Sequence, residues 1–306
     1  MLVGPSWRLP AEFGGLEAEP GDPGPAVSTT GQPKGYDVTD QQQDVIAALM
    51  AEGKELDGLV AGLTPEQWSL PTPAPGWTIA HQIAHLAATF RLAGMAAAQP
   101  DAFTTMVSRL SGDFNNNVEA ALSEYLSDPP EVLLRRWRAE RTTAEKALAA
   151  VPPTQLVPWL VRPLPPGVLA AAGMMELFGH GQDIADTLQV RRTPTDRVGH
   201  LVGFAVRTWD FGYLARGLTP PETTLRFELT APSGQVWTFG PEDSTELVTG
   251  SAWDFCLLVC RRRHRNDLAL RASGTVADQW LDIAQAYRGP AGPGREPGQF
   301  AEAVRS

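Results

Sequence analysis

The chain has 306 residues, enough for two modest domains that each bury a core of their own. Hydrophobic residues make up 43% and charged residues 20%, an ordinary soluble composition in which no apolar run reaches membrane-spanning length. A formal net charge of -10 and a pI near 5.0 repel phosphate backbones, so neither nucleic acid nor a membrane is expected as a partner.

Residues 1–36 are rich in Gly and Pro with scattered acids and read as a disordered leader. The first fifteen residues lack a basic segment followed by a continuous apolar one, so no secretory signal is expected. From Thr39 the pattern turns helical. Val45, Leu49, Leu56, Leu59 and Leu63 follow a 3.6-residue spacing, which predicts a first helix over 40–63. A Pro-rich loop then leads to Thr78, a suitable cap for a second helix to about Ala97. A weaker element is predicted near 117–126, and Pro129-Pro130 opens a strong helix over 131–150. Two more helices are predicted, over 168–188 and 196–216.

After Pro220-Pro221 the period drops to two. Leu225, Phe227 and Leu229 alternate with polar residues, Ser233-Gly234 makes a turn, and Val236 to Phe239 reads as the return strand. A helix over 252–262, a strand near 268–272 and a helix over 276–287 complete the pattern. The predicted class is α+β: an antiparallel four-helix-type bundle over 37–218, a small α+β domain over 219–290 and a flexible tail over 291–306.

The only two cysteines, Cys256 and Cys260, stand four apart in an apolar stretch, which excludes a disulfide framework. Buried free thiols suit a reducing compartment, and a cytoplasmic location is expected.

Two segments carry the clustered metal-ligand chemistry: His81-Gln-Ile-Ala-His85 and Glu176-Leu-Phe-Gly-His180. On a helix, residues four apart sit about 40° around the axis, so each segment aims its pair at one place. The second helix has Ile79, Ile83, Leu86 and Phe90 on one side and His81, Ala84, His85, Ala88 and Leu92 on the other, so it belongs inside the bundle. A histidine there needs a hydrogen-bond partner or a metal. Glu176, His180 and Asp183 fall within an arc of about 60°, and Glu176 lies between Met175 and Leu177, where a carboxylate wants a cation. One histidine of the first segment with Glu176 and His180 makes two imidazoles and a carboxylate, the donor set of a catalytic centre with an open position. The competing reading is a buried His–Glu hydrogen bond between helices. A zinc-protease mechanism fails on one residue, because the general-base position beside His81 is Gln82.

The runs Pro75-Gly-Trp-Thr-Ile-Ala-His-Gln-Ile-Ala-His-Leu86 and Met175-Glu-Leu-Phe-Gly-His-Gly-Gln-Asp-Ile-Ala185 resemble the DinB-like bundle of the mycothiol-dependent maleylpyruvate isomerase family. Further likeness to an actinobacterial metal-binding branch lies in Trp237 to Asp243, in Asp254 to Val259, in Arg262 to Leu268 and in Trp280 to Gln285, so that it extends over about residues 40–298. The resemblance implies metal ligation by His85, Glu176 and His180, with His81 one turn away either backing a ligand or contacting the substrate, and with Asp183 orienting a ligand histidine. It implies a role for Arg262 in binding an anionic substrate or thiol. A solvated helix end is the competing reading of the Arg261–Arg265 run.

The implied cofactor is a divalent metal, zinc first and nickel or another divalent ion next, with mycothiol as cosubstrate. The implied activity is thiol S-transfer or cis-trans isomerisation of a small organic acid or specialised metabolite by a monomer or homodimer. Two other readings stay open: a thiol-independent metal-dependent lyase or cyclase, and a non-catalytic metal- or metabolite-binding protein whose closed site takes His81 as a fourth ligand.

Overall fold

The computed structural model describes residues 38–111, 113–160 and 162–300, so the predicted leader lies outside the described residues. The long helices are α1 (Val38–Val60), α3 (Ile79–Ala98), α6 (Pro130–Ala150) and α7 (Pro166–Leu188), with α2 (Pro65–Trp68), α4 (Pro100–Val107) and α5 (Phe114–Leu126) in the connections. Prolines in the first turns of α6 and α7 set φ where no N–H partner is needed. α2 was hidden by its brevity, yet its start is fully specified. The Thr64 hydroxyl accepts from Gln67 N–H and the Gln67 side-chain Oε1 accepts from Thr64 N–H.

Contacts across the bundle give its directions. Along α7, a side chain at Gly167 would meet Val45, one at Gly173 would meet Leu49 and Phe90, and one at Gly181 would meet Leu56. α1 and α7 therefore run the same way. Gln42 Nε2 donates to the Leu148 and Val151 carbonyls while Arg138 Nε donates to Asp57, so α6 runs against α1. α3 runs against α7, because His85 lies by Glu176 and Gln82 by His180. Two parallel pairs thus oppose each other, and the long connection from α3 to α6, through α4 and α5, lets those two helices run parallel.

The expected 196–216 helix is two pieces, α8 (Val198–Arg207) and α9 (Phe211–Leu214). The break lies at Thr208, whose hydroxyl donates back to the Phe204 carbonyl, and at Trp209, whose carbonyl accepts from Trp280 Nε1 instead of continuing a helical ladder.

Beyond residue 225, β1 (Arg226–Thr230), β2 (Val236–Phe239), β3 (Leu247–Ser251) and β4 (Leu270–Ser273) form one sheet in the order β2-β1-β3-β4, with β1 and β3 parallel and the outer pairs antiparallel. α10 (Ala252–Val259) and α11 (Thr275–Ile283) pack with the sheet. β3 gives no alternating signal in the sequence. Its Gly250, at φ 141°, sits where a Cβ would strike the Ala269 carbonyl at 2.2 Å, so close strand approach overrides propensity there.

The helices and the sheet share one continuous apolar core. Phe227, Phe255 and Trp280 form an aromatic cluster under the sheet at centroid separations of 5.3–5.9 Å. Phe178 of α7 meets Trp253 of α10 edge-on at 4.9 Å and ties the two parts together. No helix among the described residues is long and apolar enough to cross a membrane.

The segment expected to be flexible makes specific contacts as far as it is described. Arg295 Nη2 donates to Asp183 at 2.6 Å, Gly298 N–H donates to Asp267, and the Phe300 ring lies under the Arg263 guanidinium at 3.9 Å. Composition alone suggests mobility, but these paired charges and the cation–π contact hold the segment to α7 and to the turns that follow α10.

Candidate metal centre

α3 and α7 cross with His85 facing Glu176 and His180. His85 Nε2 lies 3.3 Å from Glu176 Oε2, and His180 Nε2 lies 3.2 Å from the same oxygen. One ligand atom from each residue falls within 4.8 Å of the others. Donors at about 2.0–2.1 Å from a tetrahedral zinc stand roughly 3.3 Å apart, so this set fits a divalent ion. The three side chains keep 23%, 22% and 12% exposure, which leaves one side of the cluster reachable.

The protonation of His180 is fixed by a relay of hydrogen bonds. The Thr72 hydroxyl donates to the Trp77 carbonyl at 2.9 Å, so its oxygen accepts from Gln82 Nε2 at 2.8 Å. That leaves the Gln82 carbonyl oxygen for His180 Nδ1, which donates to it in a short hydrogen bond. His180 therefore carries its proton on Nδ1 and turns the Nε2 lone pair toward Glu176 and His85, as a metal-ligating imidazole requires. Gln82 is fully buried. Its amide cannot serve as the general base of the zinc-protease pattern, and here it positions a candidate ligand. Sequence reasoning assigned it only a negative role, and the available signal was its place one turn from His85 on a buried helix.

Trp77 is the other neighbour that spacing did not reveal. Its ring stacks on His180 at 5.9 Å with 17° between planes and also meets His85 at 5.4 Å and His81 at 6.3 Å. The loop carrying it is closed by backbone bonds between Thr72 N and Trp77 O and between Ile79 N and Leu70 O. Thr89 brings its hydroxyl to 3.5 Å from His85 Nε2.

His81 stands outside the ligand cluster. Its Nδ1 is taken by the Thr78 hydroxyl at 2.8 Å and by the Thr78 N–H at 3.3 Å, which caps the start of α3. Burial lowers its pKa, so the ring is neutral at physiological pH.

Asp183 does not orient a ligand histidine. Its carboxylate, with no exposure, receives Arg295 Nη2 at 2.6 Å and pairs with Arg262 Nε at 3.0 Å. Two cations balance its charge, and Gln82 already accepts the histidine proton. Arg262 directs its Nε–H at the Gly179 carbonyl at 2.8 Å and an Nη1–H at the Cys260 carbonyl. A Cβ at Gly179 would meet that guanidinium at 3.2 Å, so the glycine beside His180 is what admits the arginine. The guanidinium is thereby tied to protein acceptors at the edge of the site.

The electrostatics suit ligation. For Glu176, burial alone would raise the pKa, but the two histidines packed against its Oε2 prevail and hold it well below the usual carboxylate range. Burial and then the nearby His85 lower His180 to about 4, so its imidazole stays neutral over the physiological range. An ionised carboxylate beside a neutral imidazole is the protonation state a divalent cation needs.

Residues 49–185, which contain all three candidate ligands, match the family model of the mycothiol maleylpyruvate isomerase N-terminal domain. Residues 221–273 match a second model, wyosine base formation. Two Mycobacterium tuberculosis proteins, named "Uncharacterized protein MT0041" and "Uncharacterized protein Rv0036c", are each 42% identical over 250 residues, covering 82% of this chain and 97% of theirs. The crystal structure of the mycothiol-dependent maleylpyruvate isomerase superposes with a TM-score of 0.52 at 14% identity, covering 76% of this chain and 92% of that one. A histidine-to-alanine mutant of that enzyme gives 0.50 at 13% identity, covering 71% and 88%. The likenesses to solved structures establish the α+β fold, residues 49–185 carry the mycothiol maleylpyruvate isomerase N-terminal domain, and the chain belongs to the same family as the two Mycobacterium tuberculosis proteins.

Proposed function

We propose that the protein is a metal-dependent enzyme of the mycothiol-dependent maleylpyruvate isomerase type, acting on a small organic acid or specialised metabolite. The observation that carries this reading is the His85–Glu176–His180 cluster, with its His180 tautomer set by Gln82. A divalent ion held by these three, zinc before nickel, would supply a Lewis acid able to lower the pKa of a thiol or polarise a carbonyl.

The chain's own residues then have assigned parts. Trp77 walls the cluster on one side and keeps water from the ring faces of His85 and His180. His81, neutral and anchored through Nδ1 to Thr78, is the proposed substrate contact one turn from His85. Arg262 supplies positive charge beside Gly179, and Asp183 and the Gly179 carbonyl position it. In the isomerase reading, the thiol sulfur adds to one alkene carbon, the new single bond rotates, and elimination returns the thiol with the geometry changed. In the transferase reading, the sulfur stays on the product.

Elemental analysis of purified wild-type and Glu176→Ala protein, followed by mass spectrometry with mycothiol, tests the proposal. Stoichiometric metal lost in the variant, with mycothiol binding to the wild type, is the expected result. Metal without thiol binding would favour a thiol-independent lyase or cyclase. No stoichiometric metal in the wild type would leave a His–Glu hydrogen-bonded core and end the enzymatic reading.

A further inference from the structure

We propose that the cavity between the end of α10, the end of α11 and residues 293–295 binds a small oxyanion, the phosphate or carboxylate group of a metabolite, at a site separate from the metal centre. The cavity measures about 140 Å³, roughly ten times the ~15 Å³ that a single water requires. Its wall includes Leu258, Arg261, His264, Arg265, Asp282 and Arg295, and none of His85, Glu176, His180 or Arg262.

The charges around it do not cancel. Arg265 is matched by Asp278 at 2.5 Å and Asp282 at 2.9 Å, and Arg263 by Asp186 at 2.6 Å. Arg295 must share Asp183 with Arg262. Among the described residues no carboxylate pairs with Arg261, whose Nη2 reaches only the Gly292 carbonyl at 3.3 Å. Arg216 likewise donates only to the Gly212 and Ile283 carbonyls. Burial and then the charge of Arg261 lower its pKa, which marks the two arginines as neighbours. In a chain of net charge -10, this is a local excess of cation.

Two further observations point to an acceptor. The Nε atoms of Arg261 and Arg295 are buried and have no hydrogen-bond partner, and the Arg295 side chain is only 7% exposed. Buried charged donors without acceptors are costly, and an oxyanion offers several lone pairs to two guanidinium forks at once. The backbone adds its own sign. Arg261 follows the Cys260 cap of α10 at φ 56°, and the N–H of Arg262 bonds the Leu257 carbonyl, the closure that usually places glycine at this position. An arginine kept in a left-handed conformation at a cavity wall is strain retained for its side chain.

Chelator-treated wild-type protein titrated calorimetrically with inorganic phosphate, and separately with succinate, at constant ionic strength against chloride tests the site. Saturable one-to-one binding of either probe is expected, and the tighter one identifies the ligand's group. Arg261→Gly suits the left-handed backbone, so it should keep the wild-type melting curve and weaken binding at least tenfold, with Arg261→Lys between the two. Anion binding unchanged in Arg261→Gly, or no binding beyond that of chloride, would overturn the proposal. So would loss of binding in Glu176→Ala with Arg261 intact, which would place the anion at the metal centre and leave the enzymatic reading standing.

Discussion

The Gln82 side-chain carbonyl accepts the Nδ1 proton of His180, and the Gln82 amide is itself oriented by Thr72. A residue that cannot act as a base thus decides which nitrogen of a candidate ligand is available. On the proposed metal centre, Gln82→Leu should weaken metal binding by about 10–100-fold, the usual effect of losing a partner that orients a ligand. Gln82→Glu, whose carboxylate can accept the same proton, should retain most of the affinity. Chelator competition measures both, and equal affinities for Leu and wild type would remove Gln82 from the site.

The fully buried Asp183 carboxylate holds Arg262 and Arg295. Asp183→Asn should cost about 3–5 kcal/mol in urea unfolding, because it leaves two cations short of their counter-charge. Adding Arg295→Met to Asp183→Asn should recover part of that loss. A loss below about 1 kcal/mol for the single variant would show that solvent reaches the pair.

The metal-free protein should lose stability as pH falls. His180 titrates near 4 in the folded state against an ordinary 6.5, so between those values the unfolded chain binds a proton that the native state refuses. The stability from this group is complete above pH 6.5 and is lost on the way down to 4. Its full size is about 3 kcal/mol. Chemical unfolding of chelator-treated protein at pH 7 and pH 4.5 should show the fall, and His180→Gln should flatten it.

Cys256 and Cys260 are buried, and burial raises the first thiol well above its ordinary pKa and the second to about 12. Ellman's reagent at pH 8 should find no reactive thiol in the native protein and two after unfolding. Labelling of the native state would mean that α10 opens far more readily than its packing allows.

Much of this was legible because the relevant signals are local. The 3.6 spacing and proline punctuation fixed the four bundle helices within a few residues, and the two histidine-bearing turns marked α3 and α7 as partners. What the sequence hid depends on the third dimension. The break at Thr208 rests on Trp280, more than seventy positions away, donating to the Trp209 carbonyl. β3 was masked by a glycine that the sheet needs for close approach. Trp77 sits in a Pro-rich loop without periodicity, and its stacking on His180 comes from loop closure. Asp183 shares the helical arc of Glu176 and His180, yet an arginine in the Pro/Gly-rich tail claims it.

That last pairing also sets an order of events during synthesis. Arg295 lies 112 positions beyond Asp183, so α7 emerges and can pack in the bundle long before its buried carboxylate acquires one of its two cations. Once Arg262 has emerged, and until residue 295 follows it, Arg262 is the only one of the two cations that can balance that charge.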